Sequence, residues 1–578
     1  MLIAVNPSKK HNIESKLFFS FKNVYILSKY KKNCLSNKFF FICIDGFVTD
    51  KNDKNLTKKF ILKKISSLKN NLELVSFIKT LGGAFGIFIY DIQKAKTSFF
   101  KDEDGYRPLF YQKEKNSIII SNNIKDLKKI INLDINYSFL KKYITYRYNY
   151  LYGLKNNFFK KIFYLPAASY LTHKKNSLKI IRYTDYDIKL NNKLGFEDAQ
   201  KKIFEETVRL FNLKKAEFTN KSILALSGGM DSTSGAFFIK KVTKKGIDSF
   251  TANYNLKNIN IDEASEAKKV AKKFSRTWHK ININSDDFLK SWNNIYLNYS
   301  NPLPTSSFLG YHIMYEKISK MGYNRIINCG NPDHYYLGNY PAFFYYLSDL
   351  FFLKKKNFSE ELKYWIKNHS TKQYPKSKKL FTDFYNNNIL KKDLYSIKPK
   401  IEIMGKKYLK YSKKELYISK FKSNNFLNAY LKMCLWMSER QPGIVIFDEM
   451  SSNLNIKNVD PYIGERIKNL TYGLPGNYKI NKGTLKFIYR EIMKKHLPKS
   501  IIKNNNKTGY DLPFLYWLNN DHNIKTSVIN LLLEAKQKKF YNFININKII
   551  SDLKNNNFTD NMFLWQLVNA IKWEKSNI

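Results

Sequence analysis

SILALSGGMDSTSGAFFIK, residues Ser222–Lys240, sets a short apolar run directly before Ser-Gly-Gly-Met-Asp-Ser and continues with small and apolar residues at helical spacing. A strand that turns into a helix through two glycines leaves free amides at the helix start. It also lets the backbone approach an anion closely. Ser227, Gly228, Gly229 and Ser232 are therefore candidate phosphate-binding residues, with Ala225 at the strand end beneath them. The spacing is not the Gly-x-x-x-x-Gly-Lys-Ser/Thr of a Walker loop. Asp231 would repel a bare phosphate, so its place in the loop calls for a Mg²⁺ ion between the two.

The flanking segments predict the sheet on which this loop sits. FEDAQKKIFEETVRLFNL reads as an amphipathic helix, SILAL and DSFTANY as strands, and DEASEAKKVAKKF as a helix with Ala264, Ala267, Val270, Ala271 and Phe274 on one face. HKININ and NRIINC read as further strands, separated by a helix near GYHIMYEKISKMG. Such alternation argues for a parallel sheet flanked by helices, with ligands beyond the carboxyl ends of the strands. NRIINC runs into Gly330-Asn331-Pro332-Asp333-His334. Alone, Gly-Asn-Pro-Asp is ordinary turn chemistry. A strand's carboxyl end would set Asp333 facing Asp231 across one crevice, but on these residues alone the turn reading prevails.

Up to about residue 190 the pattern differs. KFFFICIDGF, GGAFGIFIYD, KTSFFKDEDGYRPLFYQ and NSIIISNN are short strand-like runs at nearly even spacing, predicting a largely antiparallel, layered α/β domain. YDIKLNNKLG, from Tyr186 to Gly195, is polar and reads as a linker. The expected division is therefore 1–190 and 196–578, with a mostly helical part beyond about residue 340.

Composition narrows the class of protein. The chain has 578 residues, of which 43% are hydrophobic, enough for two or three sizeable cores. The richest apolar stretch, Pro341 to Leu353, is short and interrupted by Ser348 and Asp349, which suits a buried helix and not a membrane span. The N-terminus lacks a cationic segment followed by a long apolar core, so a cytoplasmic protein with no membrane partner is the expectation. The net charge of +53 (100 basic against 47 acidic residues) is spread along the chain together with abundant Asn, Ile, Tyr and Phe. That distribution points to a solvated surface and to no specific nucleic acid. Cys34, Cys43, Cys329 and Cys434 lack metal-ligand spacing and sit in or beside apolar runs, as reduced structural thiols do; the eight histidines are scattered.

Ser-Gly-Gly-Met-Asp-Ser resembles the pyrophosphate-binding loop of the ATP pyrophosphatase group, which includes asparagine, argininosuccinate and GMP synthetases and some tRNA-modifying enzymes. Three further segments single out the asparagine synthetase superfamily. GGAFGIFIYDIQKAKTSFFKDEDGYRPLFYQKEKNSIIISNNIKDL resembles its glutaminase-domain signature, NNFFKKIFYLPAASYLTHKKNSLKIIRYTDYD the stretch closing that domain, and NKTGYDLPFLYWL the Lys-Gln-Gly-Phe-x-x-Pro-x-x-x-Trp-Leu signature near the end of the synthetase domain. The segments stand in family order across nearly the whole chain. The resemblance implies an Ntn glutaminase-like domain, then an ATP pyrophosphatase domain using ATP and Mg²⁺, with Gly330 at the nucleotide site and Asp333 beside Asp231 as a metal ligand. It also implies that Lys507, fixed by Gly509, Pro513 and Trp517, contacts the α-phosphate and the reacting acyl group.

The chain departs from the family at three places. Glutamine-hydrolysing members begin Met-Cys and use that cysteine as nucleophile; here Leu2 follows Met1. The family loop Gly-Glu-Gly-x-Asp-Glu places its first Glu (Tyr in β-lactam synthetases) at Asn331, which cannot act as a general base, and its second acid at His334. The segment Glu-x-Arg-x-Pro-Phe-Leu-Asp is recognisable only as NVDPYIGER, with acid and Arg unmatched. Members without the cysteine include β-lactam and carbapenam synthetases and the macrolactam cyclases of lasso peptides. The expectation is an AMP-forming, amide-forming ligase for a small-molecule or peptide carboxylate and an amine, in company with a partner biosynthetic enzyme or as a homodimer. An ammonia-using asparagine synthetase, a tRNA-modifying pyrophosphatase and an inactive scaffold are the alternatives.

Overall fold

The computed structural model describes residues 1–7, 18–147, 157–185, 188–254, 256, 264–371, 375–390, 393–410, 416–417, 419–437, 440–504 and 511–577. Two six-stranded antiparallel sheets fill the N-terminal part. One runs in the order Phe163–Tyr164, Phe110–Glu114, Ser117–Ser121, Leu2–Val5, Val24–Leu27, Phe18–Phe21. The other runs Ser177–Arg182, Ser169–Lys174, Lys96–Lys101, Leu81–Asp91, Phe40–Asp50, Cys34–Ser36.

Period-two alternation sorts each strand between two cores. Ile3 and Val5 join Phe41, Cys43, Phe88 and Phe99 between the sheets. Leu2 and Ala4 point the other way, into a core shared with Leu127, Phe139 and Leu140 of flanking helices. Ile42, Ile44, Ile87 and Ile89 back onto Ile61, Ile65 and Phe77. Helices therefore cover both outer faces, and the expected antiparallel α/β layering is present. Cys34 and Cys43 are cross-strand neighbours, and no disulfide forms among the described residues.

The second part carries a parallel five-stranded sheet in the order Trp278–Asn282, Asp248–Asn253, Ser222–Ala225, Arg325–Ile327, Lys457–Val459. Helices Phe196–Leu213, Met230–Thr243, Ala264–Phe274 and Ser306–Lys320 fall where the periodicity puts them. The predicted face Ala264, Ala267, Val270, Ala271, Phe274 is buried throughout. Lys457–Val459 was not foreseen, because three residues in a polar context carry no alternation. The long C-terminal helix Asn561–Lys575 threads between the two parts: Gln566 donates to Tyr146 O at 3.1 Å, and Trp573 Nε1 to Ser300 O at 2.7 Å.

Two readings gain detail. The polar stretch expected as a linker has no helix or strand where it is described, but it is anchored at two points. Ile188 and Leu194 are buried, Ile188 O accepts from Asn424 at 2.7 Å, and Asn191 N donates to Gly473 O at 2.8 Å. The apolar stretch near Pro341 forms the helix Ala342–Phe352 with Ser348 and Asp349 buried, but its end, Phe351 to Leu353, is exposed. No helix among the described residues is long and apolar enough to cross a membrane.

Candidate active site

The sheet order reverses direction at Ser222–Ala225. The chain first adds two strands on one side, then Arg325–Ile327 and Lys457–Val459 on the other. The crevice at such a switch point is where open α/β sheets bind ligands. Both loops singled out in the sequence rise from it, one after Ser222–Ala225 and one after Arg325–Ile327.

The first loop is held by its own polar groups. Ser227 N donates to Ser232 Oγ at 3.2 Å, the two hydroxyls lie 3.1 Å apart, and Gly229 N donates to Ser227 Oγ at 3.3 Å. Gly228 has φ +73°, and a β-carbon there would meet Ala267 N at 3.0 Å, so the turn requires glycine. Gly229 is the N-cap of Met230–Thr243 and no side chain caps that helix, so its first amides open on the crevice. Ala225 ends the strand below.

The second loop is organised by a residue that the sequence reading missed. Asp460, just after Lys457–Val459, accepts from Gly330 N at 3.1 Å, Asn331 N at 3.0 Å and Asn331 Nδ2 at 2.8 Å. Burial pushes its carboxyl up, although these bonds and Lys214 favour the charged form. NVDPYIGER thus supplies an acid, but as the scaffold of the neighbouring loop. Pro332–Tyr335 turns once as a short helix and carries Asp333 and His334.

Lys486 brings the two loops together. Its Nζ lies 2.6 Å from both carboxylate oxygens of Asp231 and 2.6 Å from Asp333 Oδ1, so Asp231 and Asp333 share one crevice. Burial alone would lower the lysine's pKa; the two carboxylates outweigh it and raise it. Lys486 adopts φ +55°, a left-handed conformation that is uncommon for a side-chain-bearing residue and recurs at functional sites. Gly338 makes room for the contact: a β-carbon there would lie 2.0 Å from Asp333 Oδ1 and 2.1 Å from Lys486 Cε. One lysine in so basic a chain gives no sequence signal.

The donor set suits Mg²⁺. No group of three or more His, Cys, Asp or Glu gathers among the described residues. Two carboxylates in one crevice match an ion that takes its remaining ligands from water and phosphate. Lys486 holds the place between them. Lys507 and Gly509 lie outside the described residues. Pro513 and Trp517 are described; Trp517 is buried against Phe288 and Tyr254. Leu2, which follows Met1, is wholly buried.

The antiparallel part reaches this site through one turn. Asp102 shapes the turn by accepting from Tyr106 N at 2.8 Å and Arg107 N at 3.1 Å. Tyr106 Oη then donates to Asn331 Oδ1 at 3.3 Å. Glu103 O accepts from Trp436 Nε1 at 3.3 Å, and Asp104 pairs with Lys468 at 3.0 Å. Arg107 binds Asp45 Oδ2 at 2.8 Å and Asp448 Oδ1 at 2.6 Å.

Fold and crevice define an α/β protein with a glycine loop at the switch point of a parallel sheet, joined to an antiparallel sandwich. Residues 221–575 match the Asparagine synthase family, and residues 73–184 match the Glutamine amidotransferase domain. The first match spans more than half of the chain, which belongs to the asparagine synthase family. No curated protein matches it. Among solved structures it is similar to a glutamine phosphoribosylpyrophosphate (PRPP) amidotransferase from B. subtilis complexed with ADP and GMP, at 10% identity over 36% of this chain and 45% of that one, TM-score 0.18. It is also similar to the allosteric regulatory enzyme of purine biosynthesis, at 7% identity over 43% and 61%, TM-score 0.19.

Proposed function

We propose that the chain is an ATP-dependent ligase that joins a carboxylate to an amine without hydrolysing glutamine. The observation that carries this reading is the meeting of Asp231 and Asp333, from two loops of one switch-point crevice, around a loop built for phosphate. In the reaction, a carboxylate oxygen attacks the α-phosphorus of ATP, an acyl-adenylate forms and pyrophosphate leaves. The amine then attacks the acyl carbon and AMP departs.

Amides at the start of Met230–Thr243 and the hydroxyls of Ser227 and Ser232 would hold the pyrophosphate, with Ala225 and Gly330 lining the nucleotide site. Mg²⁺, held by Asp231 and Asp333, would supply charge that offsets the leaving pyrophosphate. Lys486 would add a cation at the same place, and Lys507 a cation at the acyl centre. Leu2 offers no nucleophile, so the amine is free ammonia or part of a substrate. The acid is a small molecule or a peptide of specialised metabolism; a linear peptide whose own amine attacks the acyl carbon would give a macrolactam.

The test is reconstitution of the purified protein with Mg·ATP, ammonium and candidate acids, including the products of neighbouring genes, read by mass spectrometry. AMP, pyrophosphate and a new amide are expected, all lost in Asp231→Asn. Formation of ADP and phosphate would overturn the reading. So would ammonia release from glutamine above a no-enzyme control, blocked by a glutamine analogue. The Lys486 contact also supports an inactive scaffold, which failure to bind Mg·ATP would favour.

A further inference from the structure

The helix Ala342–Phe352 is buried for most of its length and then surfaces. Phe351, Phe352 and Leu353 are 43%, 37% and 45% exposed. Two more exposed leucines belong to the same region, each one residue before an aromatic that touches the trio. Leu380 precedes Phe381, which packs edge-on against Phe351; Leu394 precedes Tyr395, which packs against Phe352. Three segments thus meet at Phe351 and Phe352, each carrying exposed large apolar residues, and such surfaces mark interaction sites. Lys354, Lys355 and Lys356 continue directly from Leu353, and Lys378 and Lys379 precede Leu380; all five are exposed. Of the acids nearby, Asp393 is engaged by Lys420 and Lys422, and Glu361 caps Lys482 N and Gly483 N. Exposed Glu360 and Asp383 leave the rim basic.

We propose that this face docks on an anionic lipid bilayer, with Phe351, Phe352 and Leu353 entering the interface and the lysines meeting the headgroups. Composition favours a bilayer over a protein partner. Protein interfaces are depleted in lysine and anchored by Tyr, Trp and Arg. A lysine at a bilayer keeps its stem in the apolar layer and its ammonium among phosphates. A second copy of the chain is disfavoured by symmetry: a two-fold contact sets the same patch against itself and brings the two lysine rims together. This departs from the expectation of no membrane contact, because the patch exists only after folding assembles segments tens of residues apart.

Sedimentation with lipid vesicles at physiological salt tests the proposal. Binding to mixed phosphatidylcholine–phosphatidylglycerol vesicles is expected, without binding to phosphatidylcholine alone. Lys354→Glu/Lys355→Glu/Lys356→Glu should weaken it about 100-fold or more, each lysine being worth roughly fivefold at an anionic surface. Lys241→Glu/Lys244→Glu/Lys245→Glu makes the same charge change at exposed lysines elsewhere and should keep binding within a few-fold. Leu353→Ser leaves the charge untouched, lies beyond the last helical residue and should cost about tenfold. Circular dichroism confirms that each variant is folded. Equal losses from the two lysine triples would assign binding to overall charge and overturn the proposal. So would no binding at all, an unaffected Leu353→Ser variant, or a concentration-dependent dimer that Leu353→Ser abolishes.

Discussion

The Tyr106 phenol donates to Asn331 Oδ1 at 3.3 Å, and Asn331 Nδ2 donates on to Asp460 Oδ2 at 2.8 Å. A turn of the antiparallel part therefore ends inside the wall of the parallel part's crevice. Arg107 should show what this docking is worth. Arg107→Ala leaves Asp45 and Asp448 without their shared guanidinium and is expected to cost about 3 kcal/mol. Tyr106→Phe removes one hydrogen bond and should cost about 1 kcal/mol. Calorimetry separates the two, and an unchanged melting profile for Arg107→Ala would show that the parts melt independently of this contact.

Two glycines of the crevice test its geometry without removing a charge. Gly228→Ala forces φ +73° on a side-chain-bearing residue, and Gly338→Ala drives a methyl into Asp333 and Lys486. Both should lower Mg·ATP affinity tenfold or more in calorimetric titration. Gly338→Ala should leave the melting temperature nearly unchanged, because the atoms it meets are side-chain ends. Wild-type affinity in Gly228→Ala would remove this loop from the nucleotide site.

The strands and helices around the first loop were legible because their periodicities are strong. Ala264, Ala267, Val270, Ala271 and Phe274 form one buried face as read, and the helix Phe196–Leu213 begins and ends where its apolar pattern does. Asp231 and Asp333 were legible because each stands in a turn motif at a strand's carboxyl end. Lys486, Asp460 and Tyr106 were not. A lysine among this chain's many carries no local pattern, and Lys486 gains meaning only from two carboxylates each more than 150 residues away. Asp460 stood in a segment whose family acid and Arg are unmatched. Tyr106 lay within a recognised signature, but nothing local says that its hydroxyl crosses to the other part.

Lys507 carries the strongest prediction from the family pattern. Lys507→Ala should cut amide formation by roughly 10²–10³, as removal of one oxyanion donor does, while ATP binding, held by the glycine loop, suffers much less. Lys503→Ala, at the end of the helix Lys499–Lys503, is the control and should have no effect. Equal losses from both would return Lys507 to the surface charge.

Lys479 gives a pH signature. Its side chain is wholly buried, Nζ donates to Tyr472 O at 3.0 Å, and burial pulls its pKa down to about 7 from an ordinary 10.5. Between those two values the unfolded chain binds the extra proton, so this group makes stability rise as pH climbs from about 7 towards 10.5. Below about 7 both states carry the proton, so the contribution is flat there and at its most unfavourable. Lys479→Met should flatten that rise and stabilise the protein by a few kcal/mol near neutral pH. Denaturation midpoints across the alkaline range would show it, and parallel curves for wild type and variant would sink it.

The docked turn from Glu103 to Arg107 also bears on how such a chain can change over generations. On the proposed reading the antiparallel part hydrolyses no glutamine, and only its contacts then keep it from deletion. Cutting it away would strand Lys468 without Asp104, Asp448 without Arg107 and Trp436 without its carbonyl. It would also open the crevice wall at Asn331 to solvent. On that reading a lineage can repurpose the antiparallel part but cannot discard it in a single step.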